Sequence, residues 1–395
     1  MDLRFSERMK SLESNAIREI FKLLSAPDMI SFAGGFPAKE ILPDEELRDI
    51  ADYILSSPIK SDILQYGASE GYTPLRETAV KHMRRYCILA GVENITVVSG
   101  GQQTIDLTFK AFLNKGDAVL VEGPTYLACL HILKTYEAVA YGVKSDDDGI
   151  NIEDLEAKII KHNPKILYLV PTFSNPTGKE IPVEKRKAIA EITAKYGVIV
   201  LEDEPYCELR FGGGRLPSIK SFDRAGNVIF TSSFSKTISP GLRCGICVAD
   251  ERITKKIVLG KQATDVHTSL LSQAVINEYL NRGLYDAKLI KMIPYYKEKK
   301  DMMMSAIKKY MPECFKHTDP NGGLFIWGQF DADIDTAKLF PEAAAIKVAY
   351  VPGQSFYADG SVKNALRLNF SMAKIEDIEK GIRILGGFFS EKVAK

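Results

Sequence analysis

Short apolar, β-branched runs alternate with longer amphipathic stretches through the middle of the chain. Asn94–Ser99, Ala118–Glu122, Ile166–Val170, Val198–Glu202 and Val228–Ser232 read as strands, most of them apolar at nearly every position. A strand without polar alternation is buried on both faces, as in a mainly parallel sheet covered by helices. Gln102–Leu113 and Val183–Tyr196 lie between such runs and are long enough for the helical crossovers a parallel sheet requires. The expected fold class is therefore α/β, with a three-layer αβα sandwich at its centre.

The ends follow another pattern. Ser14–Leu24 carries Ile17, Ile20, Phe21 and Leu24 on one helical face, and Tyr279–Tyr310 predicts a long, charge-rich helix. Beyond it, Gly322–Phe330, Val348–Val351 and Ala365–Phe370 read as sheet, and Ile375–Phe389 as a closing helix. The expected organisation is a large domain over residues 49–290 and a small α+β domain over 291–395, which the N-terminal segment 1–48 joins. Asp146–Gly149 lacks the ligand spacing of a calcium loop and reads as a turn.

Composition narrows the function classes. In 395 residues, 52 Lys plus Arg balance 51 Asp plus Glu, leaving a net charge of +1 and arguing against a nucleic acid partner. Hydrophobic residues at 45% and charged residues at 26% fit an ordinary globular protein. Apolar runs stop far short of the ~20 residues that span a bilayer, and Met1–Lys10 lacks the apolar stretch of a signal peptide. No membrane association and a cytoplasmic location are expected. Six irregularly spaced cysteines fit reduced thiols. Cys244 and Cys247 form a CxxC, but on a strand residues three apart face opposite ways, so neither a disulfide nor a metal site is expected there.

In open α/β sheets ligands bind beyond the carboxyl ends of the strands. There the chain places Gly100-Gly101-Gln102-Gln103, Asp203-Glu204-Pro205-Tyr206 and Ser233-Phe234-Ser235-Lys236. Small residues at a helix start let backbone N–H groups approach an anion. Ser235-Lys236-Thr237 lacks the glycines of a Walker A loop, and no GxGxxG occurs. A lysine among hydroxyls, followed by Arg243 and partly buried, has its pKa lowered and suits a Schiff-base nucleophile.

These motifs, with Ser31–Pro37, Gln65-Tyr66-Gly67, Ser174-Asn175-Pro176-Thr177-Gly178, Pro240–Gly245 and Arg367–Phe370, occur in an order that resembles one family. The sequence is similar to the fold-type I, pyridoxal-phosphate-dependent aminotransferases of class I/II, and within them to the kynurenine and 2-aminoadipate branch. The resemblance runs from about Ser14 to Phe389 and implies the cofactor pyridoxal 5′-phosphate. By it, Lys236 forms the Schiff base and shuttles the proton, and Asp203 pairs with the pyridinium nitrogen. Asn175 and Tyr206 bond the ring oxygen, and Tyr126 stacks on the ring. The backbone of Gly101 and Gln102, the hydroxyls of Ser233 and Ser235, and Arg243 cradle the phosphate. Arg367 binds the substrate carboxylate, while Gly34 and Gly35 bring a loop close to the substrate. Tyr66 reaches the phosphate of a neighbouring subunit, implying a homodimer with shared active sites. Arg18 matches a position that reads an acidic side chain in some relatives; a solvated helix face is the alternative.

The implied activity is ping-pong transamination between an L-amino acid and a 2-oxo acid, with 2-oxoglutarate expected as acceptor. β-Elimination or decarboxylation would use the same residues. A regulator built on this fold would carry a winged-helix segment ahead of it, for which the sequence before Ser14 offers no room.

Overall fold

The computed structural model describes residues 3–10, 12 and 28–394, so the helix expected at Ser14–Leu24 lies outside the described residues. A short strand β1 (Ile30–Ser31) precedes the strands of the large sheet. These are β2 (Ile95–Val98), β3 (Ala118–Gly123), β4 (Val139–Asp146), β5 (Gly149–Ile150), β6 (Ile166–Leu169), β7 (Ile199–Asp203), β8 (Val228–Ser233) and β9 (Gly245–Val248). Their spatial order is β2-β9-β8-β7-β6-β3-β4-β5, and only β9 and β5 run antiparallel to their neighbours. Every residue of β2 and β6 is buried, as the unbroken apolar runs predicted, and so is every residue of β9, the strand that carries Cys247. β4 was not foreseen: it lies near the sheet edge, is half-exposed and contains Gly142, so its sequence lacks the apolar run of a central strand. Asp146–Gly149 is the turn between β4 and β5.

The topology gathers the chemistry. β2 and β8 are both antiparallel to β9, so they point the same way, as do β7, β6 and β3. The carboxyl ends of these strands and the amino end of β9 therefore share one edge. Val98 and Ser233 both pair with Gly245, which brings Ser99–Gln102, Ser233–Lys236 and Arg243 together although some 140 residues separate Ser99 from Arg243.

The second layer of sheet is antiparallel, in the order β10 (Phe315–His317), β11 (Phe325–Phe330), β14 (Ala365–Asn369), β13 (Val351–Pro352). β1 pairs in parallel with β12 (Val348–Ala349), so Ile30 and Ser31 join the C-terminal part of the fold. The expected single helix Tyr279–Tyr310 is two helices, Leu270–Asn281 and Leu284–Tyr310. Gly283, at φ 72, breaks them in a left-handed conformation that glycine alone adopts without strain. Residue 290, the expected domain boundary, lies inside the second helix. Among the described residues no helix is long and apolar enough to cross a membrane.

Candidate active site

A cavity of about 400 Å³ opens at the shared edge, a size suited to a small molecule. It is lined by Gly35, Gly101, Gln102, Tyr126, Asn175, Asp203, Tyr206, Ser233, Ser235, Lys236, Arg243 and Arg367, all but three of the site residues expected from the sequence. The exceptions are Arg18, which lies outside the described residues, Gly34, whose loop neighbours Ala33 and Gly35 line the cavity but which does not, and Tyr66, which is 81% exposed and does not line it.

Lys236 stands at the centre. Its Nζ donates to the Gly35 carbonyl at 2.8 Å. Burial, then the charges of Arg367 and Arg243, lower its pKa from 10.5 to about 8, so a useful fraction is the free amine near neutrality. The sequence had offered Arg243 as the cationic neighbour; Arg367 is the stronger one.

Asp203 ends β7 and is buried. Desolvation raises its pKa to about 6, opposed by a hydrogen bond that the Tyr168 phenol donates to Oδ2 at 2.8 Å. No lysine or arginine among the described residues pairs with it. A buried carboxylate without a cation is costly, and the cationic ring nitrogen of a pyridine cofactor fits that gap. Tyr168, on β6, was missed because a tyrosine in an apolar strand looks like core.

At one end of the cavity the donors suit a phosphate. Gly101 and Gln102 open the helix Gly101–Phe112, whose first N–H groups face outward along a favourable dipole. The Ser233 hydroxyl donates to Ser235 Oγ at 2.8 Å, and Arg243 donates to the Ser99 carbonyl at 3.2 Å. Gly100, at φ 84, is the unforeseen member: a Cβ there would lie 2.8 Å from an Arg243 nitrogen. Arg243 itself is left-handed, at φ 49.

The other end suits a carboxylate. Arg367, buried on β14, donates to Asn175 Oδ1 at 2.8 Å and to the Ala33 carbonyl at 2.6 Å. Those contacts leave guanidinium N–H groups unused, and the buried Nε–H has no partner among the described residues. The Phe325 ring lies 4.3 Å and the Phe356 ring 5.3 Å from the guanidinium carbon. Burial lowers the Arg367 pKa to about 10, so it remains a cation at neutral pH. Asn175 also donates to the Tyr206 hydroxyl at 3.4 Å, and burial raises the Tyr126 pKa to about 12, keeping that phenol neutral. A Cβ on Gly34 would meet the end of the flexible Met372 side chain, which would have to shift to admit it. Cys244, just before β9, and Cys247, within it, are buried free thiols.

Comparison with known proteins agrees with this geometry. The family profile of aminotransferase class I and II matches residues 29–385. The chain is 38% identical to the aromatic-amino-acid aminotransferase 1 of Thermococcus litoralis, over 99% of this chain and 95% of that protein. It is 36% identical to the 2-aminoadipate transaminase of Thermus thermophilus, over 97% and 95%. The crystal structure of Pyrococcus horikoshii kynurenine aminotransferase superposes with a TM-score of 0.95 at 39% identity, covering 98% of this chain and 97% of that one. The chain belongs to the class I and II aminotransferases, pyridoxal-phosphate-dependent enzymes of fold type I that exchange amino groups between amino acids and 2-oxo acids.

Proposed function

We propose that Lys236 is the catalytic amine of this aminotransferase and that its amino donor is an L-amino acid with an aromatic or other apolar side chain. The observation that carries the first part is the amine's setting: pKa about 8, with Asp203, Arg243 and Arg367 around one cavity. Bound pyridoxal phosphate supplies a ring that spreads the negative charge left at the substrate Cα. Lys236 would hold the cofactor and, once displaced by the donor amine, would take the proton from the substrate Cα and deliver it to the cofactor carbon bonded to the amine nitrogen.

Asp203, kept ionised with the help of Tyr168, would keep the ring nitrogen protonated. Asn175 and Tyr206 would bind the ring oxygen, and Tyr126 would pack on the ring. Gly101, Gln102, Ser233, Ser235 and Arg243 would hold the phosphate. Arg367 fixes the donor carboxylate, which aligns Cα with the Lys236 amine, and Gly35 lies in the loop that covers it.

The substrate part rests on the rest of the lining. Phe36, Ile105, Leu127, Val170 and Val351 face the cavity, and each lining cation among the described residues already has a role above. Arg18 is the residue we assign to the second carboxylate of the acceptor 2-oxoglutarate. We also assign the chain to a homodimer in the cytoplasm. Tyr66, exposed and outside the lining of its own cavity, supports a reach into a second subunit's site, and free thiols support a reducing compartment.

A single-turnover panel of L-amino acids tests the reading. Aromatic and branched donors should each yield one equivalent of 2-oxo acid per site, without ammonia or carbon dioxide. Preference for acidic donors other than glutamate, the product of the acceptor step, would overturn the substrate assignment, and ammonia release would indicate elimination. Replacing Arg18 with Ala should weaken 2-oxoglutarate while sparing monocarboxylate acceptors.

A further inference from the structure

Behind the cavity, on the helix Val183–Tyr196, lies a guanidinium that is 1% exposed. We propose that Arg186 is a positioning residue for transamination, acting through the loop that carries Asn175; the inference rests on the site reading above.

A wholly buried arginine is costly unless its donors are satisfied, and those of Arg186 are spent on two particular places. Nε donates to the Ile181 carbonyl at 2.8 Å, and Nη2 donates to the Pro171 carbonyl at 3.4 Å. These carbonyls are the two sides of the neck of one loop, also joined by the Ile181 N–H to Pro171 oxygen bond at 2.8 Å. Within the loop stand Phe173 in the left-handed region (φ 51) and buried Ser174, Asn175 and Thr177. The second place is the end of β7. Nη1 donates to Glu204 Oε1 at 3.3 Å, and Nη2 donates to Thr172 Oγ1 at 2.7 Å, whose own hydroxyl donates to the same Glu204 oxygen at 2.7 Å. Nη1 also donates to the Pro217 carbonyl at 3.2 Å.

Glu204 adjoins Asp203 in the chain, and its backbone N–H is fixed to the Thr231 carbonyl of β8 at 2.8 Å. Arg186 thus ties the loop that presents Asn175 to the strand end that presents Asp203 and Tyr206. Backbone bonds within the loop, such as Gly178 N–H to the Ser174 carbonyl, keep its shape without Arg186. What the guanidinium adds is the loop's place relative to β7. Asn175 in turn holds Arg367 at 2.8 Å and meets Tyr206 at 3.4 Å, so a shift of the loop moves the carboxylate site and the ring-oxygen site together.

The test compares Arg186→Met, Arg186→Lys, Thr172→Val and Asn175→Ala by kcat/KM in the cofactor-loaded enzyme and by amide hydrogen exchange of residues 171–181 in the cofactor-free chain. Arg186→Met should lower kcat/KM by about ten- to hundredfold, the scale of a misplacement near 1 Å. It should speed exchange in 171–181 while leaving 228–233 unchanged. Arg186→Lys should recover part of both effects, and Thr172→Val should show both in weaker form. Normal kcat/KM and normal loop exchange in folded Arg186→Met, or in Arg186→Lys and Thr172→Val together should the Met variant not fold, would overturn the proposal. So would a lowered melting temperature without either change, the mark of a merely structural role. An Asn175→Ala variant with full activity would instead remove the site reading on which the proposal stands.

Discussion

In the proposed reading both ends of the cavity bind anions, yet they are built by different means. At the Arg243 end the donors are several and mixed: the N–H groups of a helix start, two serine hydroxyls and a left-handed arginine, beside a glycine at φ 84 whose missing side chain leaves room for the guanidinium. Arg243 is exposed there, and solvent shares in its electrostatics. At the Arg367 end a single buried guanidinium, fixed by Asn175 and Ala33 and flanked by two phenylalanine rings, does the work. The difference follows from the occupants. A cofactor that stays can be held by many weak contacts, whereas a substrate that must come and go needs one strong, directional contact already in place.

The largest expected effect comes from Arg367. Replacing it with Lys keeps the charge but loses the planar fork and leaves Asn175 Oδ1 with a poorer donor. Losing the two-point fork at a buried carboxylate contact costs about 3 kcal/mol, roughly two orders of magnitude in kcat/KM for the donor. Cofactor affinity, measured by titration of the cofactor-free chain, should stay within a factor of about two, since the change lies at the far end of the cavity. An equal loss of cofactor affinity would erase the distinction between the ends.

Gly100→Ala should do the converse. A side chain at φ 84 is strained by about 1–2 kcal/mol, and the Cβ must push Arg243 aside. Cofactor affinity should weaken about tenfold, while the donor KM at saturating cofactor stays unchanged. A change in donor KM alone would contradict this.

The smallest effect is a shared one. Both arginines disfavour the ammonium form of Lys236, Arg367 more than Arg243. In the cofactor-free chain, acylation of Lys236 by a small anhydride should rise with pH about a midpoint near 8, because only the free amine reacts. Removing a neighbouring cation stabilises the ammonium, so Arg367→Met should move that midpoint up, and Arg243→Met should move it up by less. Peptide mass spectrometry at a series of pH values reads both shifts; a downward shift would contradict the assigned cause.

How much of this was legible in the sequence depends on which atoms do the work. Residues whose chemistry follows from motif and strand end, such as Lys236, Asp203 and Arg243, were found because the sheet topology delivers them to one edge. Arg186 was not singled out, since Lys185, Arg186 and Lys187 form one cationic run. Yet Arg186, Ile189, Ala190 and Thr193 are the buried residues of that helix, spaced at i, i+3, i+4 and i+7. That stripe was available as a signal that one of the three cations points inward. Gly100 was passed over as one glycine of a loop, because its role depends on an arginine some 140 residues away that only the β2–β9 pairing brings near. Tyr66 does not line the cavity of its own chain, and Arg18 lies outside the described residues.

The most direct test of the account is where the cofactor attaches. The chain would be mixed with pyridoxal phosphate, reduced with borohydride, digested, and its peptides weighed, with and without prior addition of an aromatic L-amino acid. The account predicts a phosphopyridoxyl mass on the peptide containing Lys236, lost when the amino acid is added before reduction. A label spread over surface lysines, or one on Lys236 that the amino acid fails to displace, would contradict it.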